Sequence, residues 1–238
     1  MRSVLGMGSQ SIASAGDDFS PNVSTNSATI PARCDPMAHN PLPGQLAAQA
    51  EMAVNTLTQT DYQHIKRIDV VAGIYDCDCN AFVGFVLEGL APAHYAMVPR
   101  ESTQPRPRAF EYYEFFASRT GTTDGWHRIN LLADARRGDI LAWRFPKVEV
   151  GFDTGHVVFL AETPVVGEGG VVSVRVYDSA NQPHFDDTRG PDTFPNGVGS
   201  GILKFQVDAE GRPTAFQFAP GDQFVAHPIA IGRAEPLS

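Results

Sequence analysis

Three residues widely spaced in the chain, Cys79, His156 and Asp178, are of the types that make a nucleophile, a base and an orienting acid. Cys79 stands in DCNAFVGFVL, residues 78–87, where Phe82, Val83, Val86, Leu87 and then Leu90 recur at offsets of three and four. That spacing predicts a helix starting at the cysteine, with Asp78 as its N-cap and Gly89 and Pro92 to stop it. A helix N-terminus gathers unpaired N–H groups and the positive end of the dipole, which favour a thiolate over a thiol. The same N–H groups would hold the oxyanion formed when sulfur attacks an amide carbonyl.

A thiol nucleophile needs a base, and imidazole titrates closest to neutral pH. Among seven histidines, His156 opens the apolar run GHVVFLAE, and alternation places it on the face of Val158 and Leu160. An imidazole at the mouth of a buried face requires a partner. In VVSVRVYDSA, Val172, Val174 and Val176 share one face, and the period of two adds Asp178 to it, while Ser173, Arg175 and Tyr177 take the other. A carboxylate there would fix the tautomer of His156 and stabilise its imidazolium form. Two plainer readings stay open: His156 as a satisfied core histidine, and Asp178 as a turn residue ending its strand before Ser179, Ala180 and Asn181.

The elements that would position these groups fall into two blocks. Residues 1–44, rich in Ser, Asn, Pro and Ala without a lasting apolar period, read as a flexible or wrapping segment, and 45–238 as the catalytic domain. Leu46, Ala50, Ala53, Val54 and Leu57 predict a first helix over 44–60, followed by a polar, partly extended approach over 61–76. A further helix is expected over 108–119, between Pro107 and Gly121, with Phe110, Tyr113, Phe115 and Phe116 as core rings. From Gly138 onward the pattern is strands: GDILAWRF, GHVVFLAE, VVSVRVYDSA, GILKFQVD, TAFQFAPG and FVAHPIAIG. Helices first and antiparallel strands second predict an α+β domain with helices packed on a curled sheet.

The net charge of −9 argues against phosphate-backbone binding as the main activity. No apolar stretch is long enough to span a bilayer, and the first residues lack the apolar core of a signal peptide. Cys34, Cys77 and Cys79 are too few for a disulfide scaffold or a four-cysteine zinc site; in an oxidising compartment Cys34 would pair with Cys77 and leave Cys79 free.

DCNAFVGFVL resembles the Asp-Cys-Ser-Gly-Phe-Val motif of NlpC-type cell-wall peptidases, papain-like enzymes related to the CHAP amidases. GDILAW, residues 138–143, is similar to their Gly-Asp-Leu strand, and TGHVVFL, residues 154–160, to their Gly/Ser-His-Val strand, in the family's order. Asn80 and Ala81 replace the usual Ser-Gly, and the third polar position is more often His, Asn or Gln than Asp. The resemblance implies a papain-like fold over roughly 62–180, with Cys79 as nucleophile, His156 as base and Asp178 as third member. It also implies a Tyr upstream of the cysteine near the oxyanion, for which Tyr62 and Tyr75 are the candidates, beside Asp78. On this reading the protein is a cysteine peptidase or amidase cleaving amide bonds in peptides or bacterial peptidoglycan through a Cys79 thioester, with no metal or organic cofactor. Export to periplasm or exterior, with the signal absent from this sequence, goes with that expectation, and a cytoplasmic place stays open. The alternatives are acyl transfer by the same dyad and a catalytically silent binding domain of the same fold.

Other groups carry weaker signals. His184, Asp186, Asp187 and Asp192 read as a solvated acidic loop rather than a calcium site, since the EF-hand spacing is absent. GVGSG, residues 197–201, reads as a bend or bulge, because it lacks the Lys and the following helix of a phosphate loop. Cys77, Cys79 and His64 make at most a weak metal cluster.

Overall fold

The computed structural model describes residues 41–148 and 153–237. Most of the expected N-terminal segment lies outside the described residues, and its last part is already helical, since helix α1 runs Leu42–Asn55. It buries Leu46, Ala50 and Ala53 of the predicted stripe and adds Pro43 and Ala47, while Val54 is only half-buried and Leu57 lies beyond the helix, which ends five residues short of the expected 60. The polar approach folds into a small sheet of β1 (Gln59–Asp61), β2 (Lys66–Asp69) and β3 (Ile74–Cys77), ordered β1-β3-β2 with β1 parallel to β3.

Strand β3 leads through Asp78 into helix α2 (Cys79–Leu90). Pro92, expected only to end this helix, also starts the next one, α3 (Pro92–Met97), where its missing N–H costs no hydrogen bond. Helix α4 (Ala109–Ala117) buries Tyr112, Phe115 and Phe116, so Tyr112 replaces Phe110 and Tyr113 as a core ring.

The remaining strands are β4 (Thr122–Thr123), β5 (Trp126–Ile129), β6 (Ile140–Arg144), β7 (Gly155–Leu160), β8 (Val165–Val166), β9 (Val172–Ala180), β10 (Gly197–Val207), β11 (Pro213–Gln217), β12 (Val225–Ala226) and β13 (Ile229–Ala234). They form one antiparallel sheet, ordered β12-β11-β10-β9-β7-β6-β13-β5-β4 with β8 paired to β9. The class is α+β.

Alternation gives the sheet two apolar faces. Val157 and Phe159 of β7, Ile140 and Ala142 of β6 and Tyr177 of β9 pack with Cys79, Phe82, Val86 and Tyr112 under the helices. Leu141, Trp143, Val158, Leu160, Val172, Val174 and Val176 face the other way, into a second core closed by Leu203, Phe205, Phe216 and Ile231. That face is covered by the sheet's own strands, with β11 touching β13 although the two are not paired, which gives the sheet its curl.

Residues 197–201 are not a bend: they pair residue by residue with β9, from Gly197 opposite Ala180 to Gly201 opposite Val176. The physical reason for glycine is close approach. A Cβ on Gly199 would stand 2.7 Å from Nε of Arg189, and one on Gly201 would stand 2.3 Å from Oδ2 of Asp187. The loop 181–196 therefore lies directly on the strand, and the missing side chains make its room.

Candidate active site

Cys79 is the first residue of α2 and is 2% exposed. Asp78 caps the helix as predicted, its Oδ1 accepting from the Ala81 N–H at 2.8 Å, while Oδ2 accepts from Arg106 at 2.7 Å. Phe82 N–H bonds the Asp78 carbonyl at 3.0 Å, so within the first turn the N–H groups of Cys79 and Asn80 are those without an intrahelical acceptor. Cys79 lines a cavity of about 250 Å³ together with Asn80, Gln104, Arg106, Asp153 and Gly155. Its hydrogen bond goes to Asn80 Oδ1 at 3.6 Å.

The expected thiolate is not what this setting favours. Burial pushes the Cys79 thiol well above the ordinary thiol range and the Asp78 carboxylate adds to that; the neighbouring Val157 N–H opposes the rise, and Asp153 and Asp178 reinforce it. Desolvation and nearby anions thus act against the thiolate that a helix start favours.

His156 is placed by Gly155, whose φ of 143° and whose position 1.9 Å (at a would-be Cβ) from the Trp143 carbonyl exclude any side chain. The imidazole is 6% exposed and its Nε2 donates to Asp178 Oδ2 at 2.6 Å. Asp178 lies inside β9, fully buried, on the valine face where the period of two put it. The polar cluster around it is larger than the sequence reading foresaw. The His184 ring bonds the same Oδ2 through Nε2 at 2.8 Å and the Phe218 carbonyl through Nδ1 at 3.1 Å, so each of its nitrogens meets an oxygen. Arg189 donates to Asp178 Oδ1 at 2.9 Å, to both oxygens of Asp187 at 2.9 and 2.8 Å, and to the Gly197 carbonyl at 2.9 Å.

Burial alone would raise the Asp178 carboxyl, yet Arg189, His184 and the hydrogen bonds from both imidazoles hold it well below the ordinary carboxylate range. The reading of 184–192 as a solvated acidic loop is thus overturned for His184 and Asp187, whose side chains are 0% and 2% exposed; only the charges at Asp186 and Asp192 face solvent. The signals that could have found the cluster are Arg189 amid the acids and two glycines alternating along a strand.

The residues foreseen at the oxyanion separate. Tyr62 is half-buried beside His156, and burial with the charges of Cys79, Asp153, Asp78 and Asp178 pushes its phenol up, so it stays a neutral O–H donor. Tyr75 instead is fully buried in the core with its ring 6.0 Å from Phe85, and it takes no part in the site. Asp78 caps α2 and also lines the Cys79 cavity. Cys77 is a free buried thiol pushed up to about 12, first by burial; its foreseen disulfide partner Cys34 lies outside the described residues. His64 approaches Asp78 at 3.3 Å and Asp153 at 3.5 Å. Ligand atoms of His156, Asp178 and His184 lie within 4.8 Å of one another. In this structure both rings bond one Asp178 oxygen and the Arg189 guanidinium bonds the other.

Among the described residues no helix is long and apolar enough to cross a membrane. No family model matches the chain and no solved structure matches it. The chain is similar to an uncharacterized protein of Acanthamoeba polyphaga mimivirus, 26% identical over 180 residues, which cover 66% of this chain and 77% of the viral protein.

Proposed function

We propose that the protein is a cysteine hydrolase of papain-like arrangement, cleaving an amide bond through a thioester on Cys79. The observation that carries this reading is the 2.6 Å bond from His156 Nε2 to a buried, anionic Asp178. A proton fixed on Nε2 leaves the lone pair on Nδ1, which has no hydrogen-bond partner among the described residues and is the atom available as base. His156 immediately precedes Val157, whose N–H adjoins the Cys79 sulfur.

The steps follow from these placements. His156 Nδ1 takes the thiol proton as the sulfur bonds the carbonyl carbon, and the carbonyl oxygen becomes an oxyanion facing the N–H groups of Cys79 and Asn80, with the Tyr62 phenol as a further donor. The imidazolium then gives its proton to the leaving nitrogen as the C–N bond breaks. A water, deprotonated by His156, attacks the thioester, releasing the acid and restoring the thiol. Because the resting thiol is pushed up, proton transfer accompanies attack rather than preceding it. Peptides are the substrate class that fits; peptidoglycan stems and crosslinks rest on the motif resemblance alone.

A second reading, a catalytically silent binding domain, is favoured by two observations: the Cys79 thiol donates to Asn80 and not to His156, and the His156 ring packs on Trp143, on the face of the sheet opposite the cluster that holds Cys79. Incubation with p-nitrophenyl acetate followed by intact-mass and peptide analysis separates the two. The hydrolase reading predicts one acetyl group on Cys79, lost again by hydrolysis, with acylation slowed about 10²–10⁴-fold in His156→Gln. Cys79 left unmodified, or acetylated equally fast in the variant, would establish the silent domain.

A further inference from the structure

Beside the Cys79 cavity lies a second one of about 280 Å³. The two share Asp153 and Gly155 in their walls. Their chemistry differs sharply: the Cys79 side is lined by Asn80, Gln104 and Arg106, whereas Trp143, Phe145, Phe216, Phe218 and Val225 line the side onto which His156 opens. The rings are mutually braced, with Trp143 4.1 Å from Phe216 and 5.1 Å from His156 between centroids, and Phe218 5.5 Å from His156. Trp143 and Phe216 are themselves buried, so the wall is fixed in place by the second core.

Resting on the hydrolase reading, we propose that this aromatic-walled cavity is the leaving-group subsite, and that the amine released from the scissile bond belongs to an apolar residue with a ring-sized or branched side chain. The chemistry fixes the side. The group that protonates the leaving nitrogen is His156, so the leaving half of the substrate lies against His156, and the acyl half lies over Cys79 and its polar cavity. The released amine becomes an ammonium at the junction of the cavities, where the exposed Asp153 carboxylate stands to receive it. Desolvation of the side chain against the rings supplies the affinity, and a polar or absent side chain forfeits it.

Trp143 makes the test direct. The other tryptophan, Trp126, is fully buried under the helices, so a ligand-induced change in fluorescence reports on the cavity. Titration of the unmodified protein with L-phenylalaninamide, glycinamide and L-glutamine amide should show binding at least about tenfold tighter for the phenylalanine compound. Val225→Lys, at a rim position 44% exposed and therefore tolerant of substitution, should cut that preference about fivefold or more. Equal affinities for the three amides, or a preference indifferent to Val225→Lys, would overturn the assignment. Acetylation of Cys79 without any preference among amides defeats the subsite and leaves the hydrolase standing. A clear preference with no acylation of Cys79 keeps the apolar-amine site and removes the hydrolase.

Discussion

The thiol half and the imidazole half of the candidate site are built in opposite ways. Cys79 is positioned by consecutive residues: β3, the Asp78 cap and the first turn of α2 follow one another along the chain. His156 is positioned by convergence, through Asp178 on β9, His184 and Arg189 on a loop, Asp187 beside them, and the bare stretch of β10 on which that loop lies. The first half needs a local helix start and one distant brace, Arg106 on the Asp78 cap. The second buries charges that are stable only together, so its geometry is all or nothing.

That contrast predicts a graded series. Asp178→Asn removes the anion shared by Arg189 and His184 and should cost about 3–5 kcal/mol, measured by urea unfolding. The same carboxylate sets an acid limit. Its folded-state pKa lies below the ordinary value, so its contribution is complete above the unfolded carboxyl pKa of about 3.9 and fades as pH falls through that value toward the folded one. Urea midpoints between pH 6 and pH 3 should therefore drop more steeply in the parent than in Asp178→Asn. Gly201→Ala drives a methyl into the Asp187 carboxylate and should cost about 1–3 kcal/mol, shared with reduced activity because the Arg189 anchor shifts. Asp78→Ala removes the cap to Ala81 together with the single ion pair to Arg106, and should cost about 2–3 kcal/mol in thermal unfolding, less than Asp178→Asn because the Arg106 side chain left behind keeps some access to solvent. A larger loss at Asp78 than at Asp178 would erase the distinction between the halves.

The same contrast explains what the sequence revealed. Helix α2 and its cap were legible because a period of three and four, a capping residue and a stop act within a dozen neighbours. Asp178 was legible because the period of two extends unbroken along β9. His184 and Arg189 were not, since an irregular loop carries no period and its acids resemble a wet surface until Arg189 is seen to neutralise them. The approach over 61–76 was legible only as partly extended, because β1 to β3 are short and polar and the parallel pairing of β1 with β3 is announced by no local pattern. The thiol's acidity was misjudged for a related reason: the helix start is local, but the burial and the carboxylates of Asp153 and Asp178 that oppose it come from elsewhere in the chain.

The central claim is that Cys79 and His156 act as one nucleophile–base pair. Its most direct test is the pH dependence of Cys79 alkylation by chloroacetamide, followed peptide by peptide, in the parent and in His156→Gln. The account predicts that at pH 7 the parent reacts at least about tenfold faster, the gap closing as the pH rises and hydroxide replaces the imidazole as base. Superimposable profiles across the whole range would contradict it.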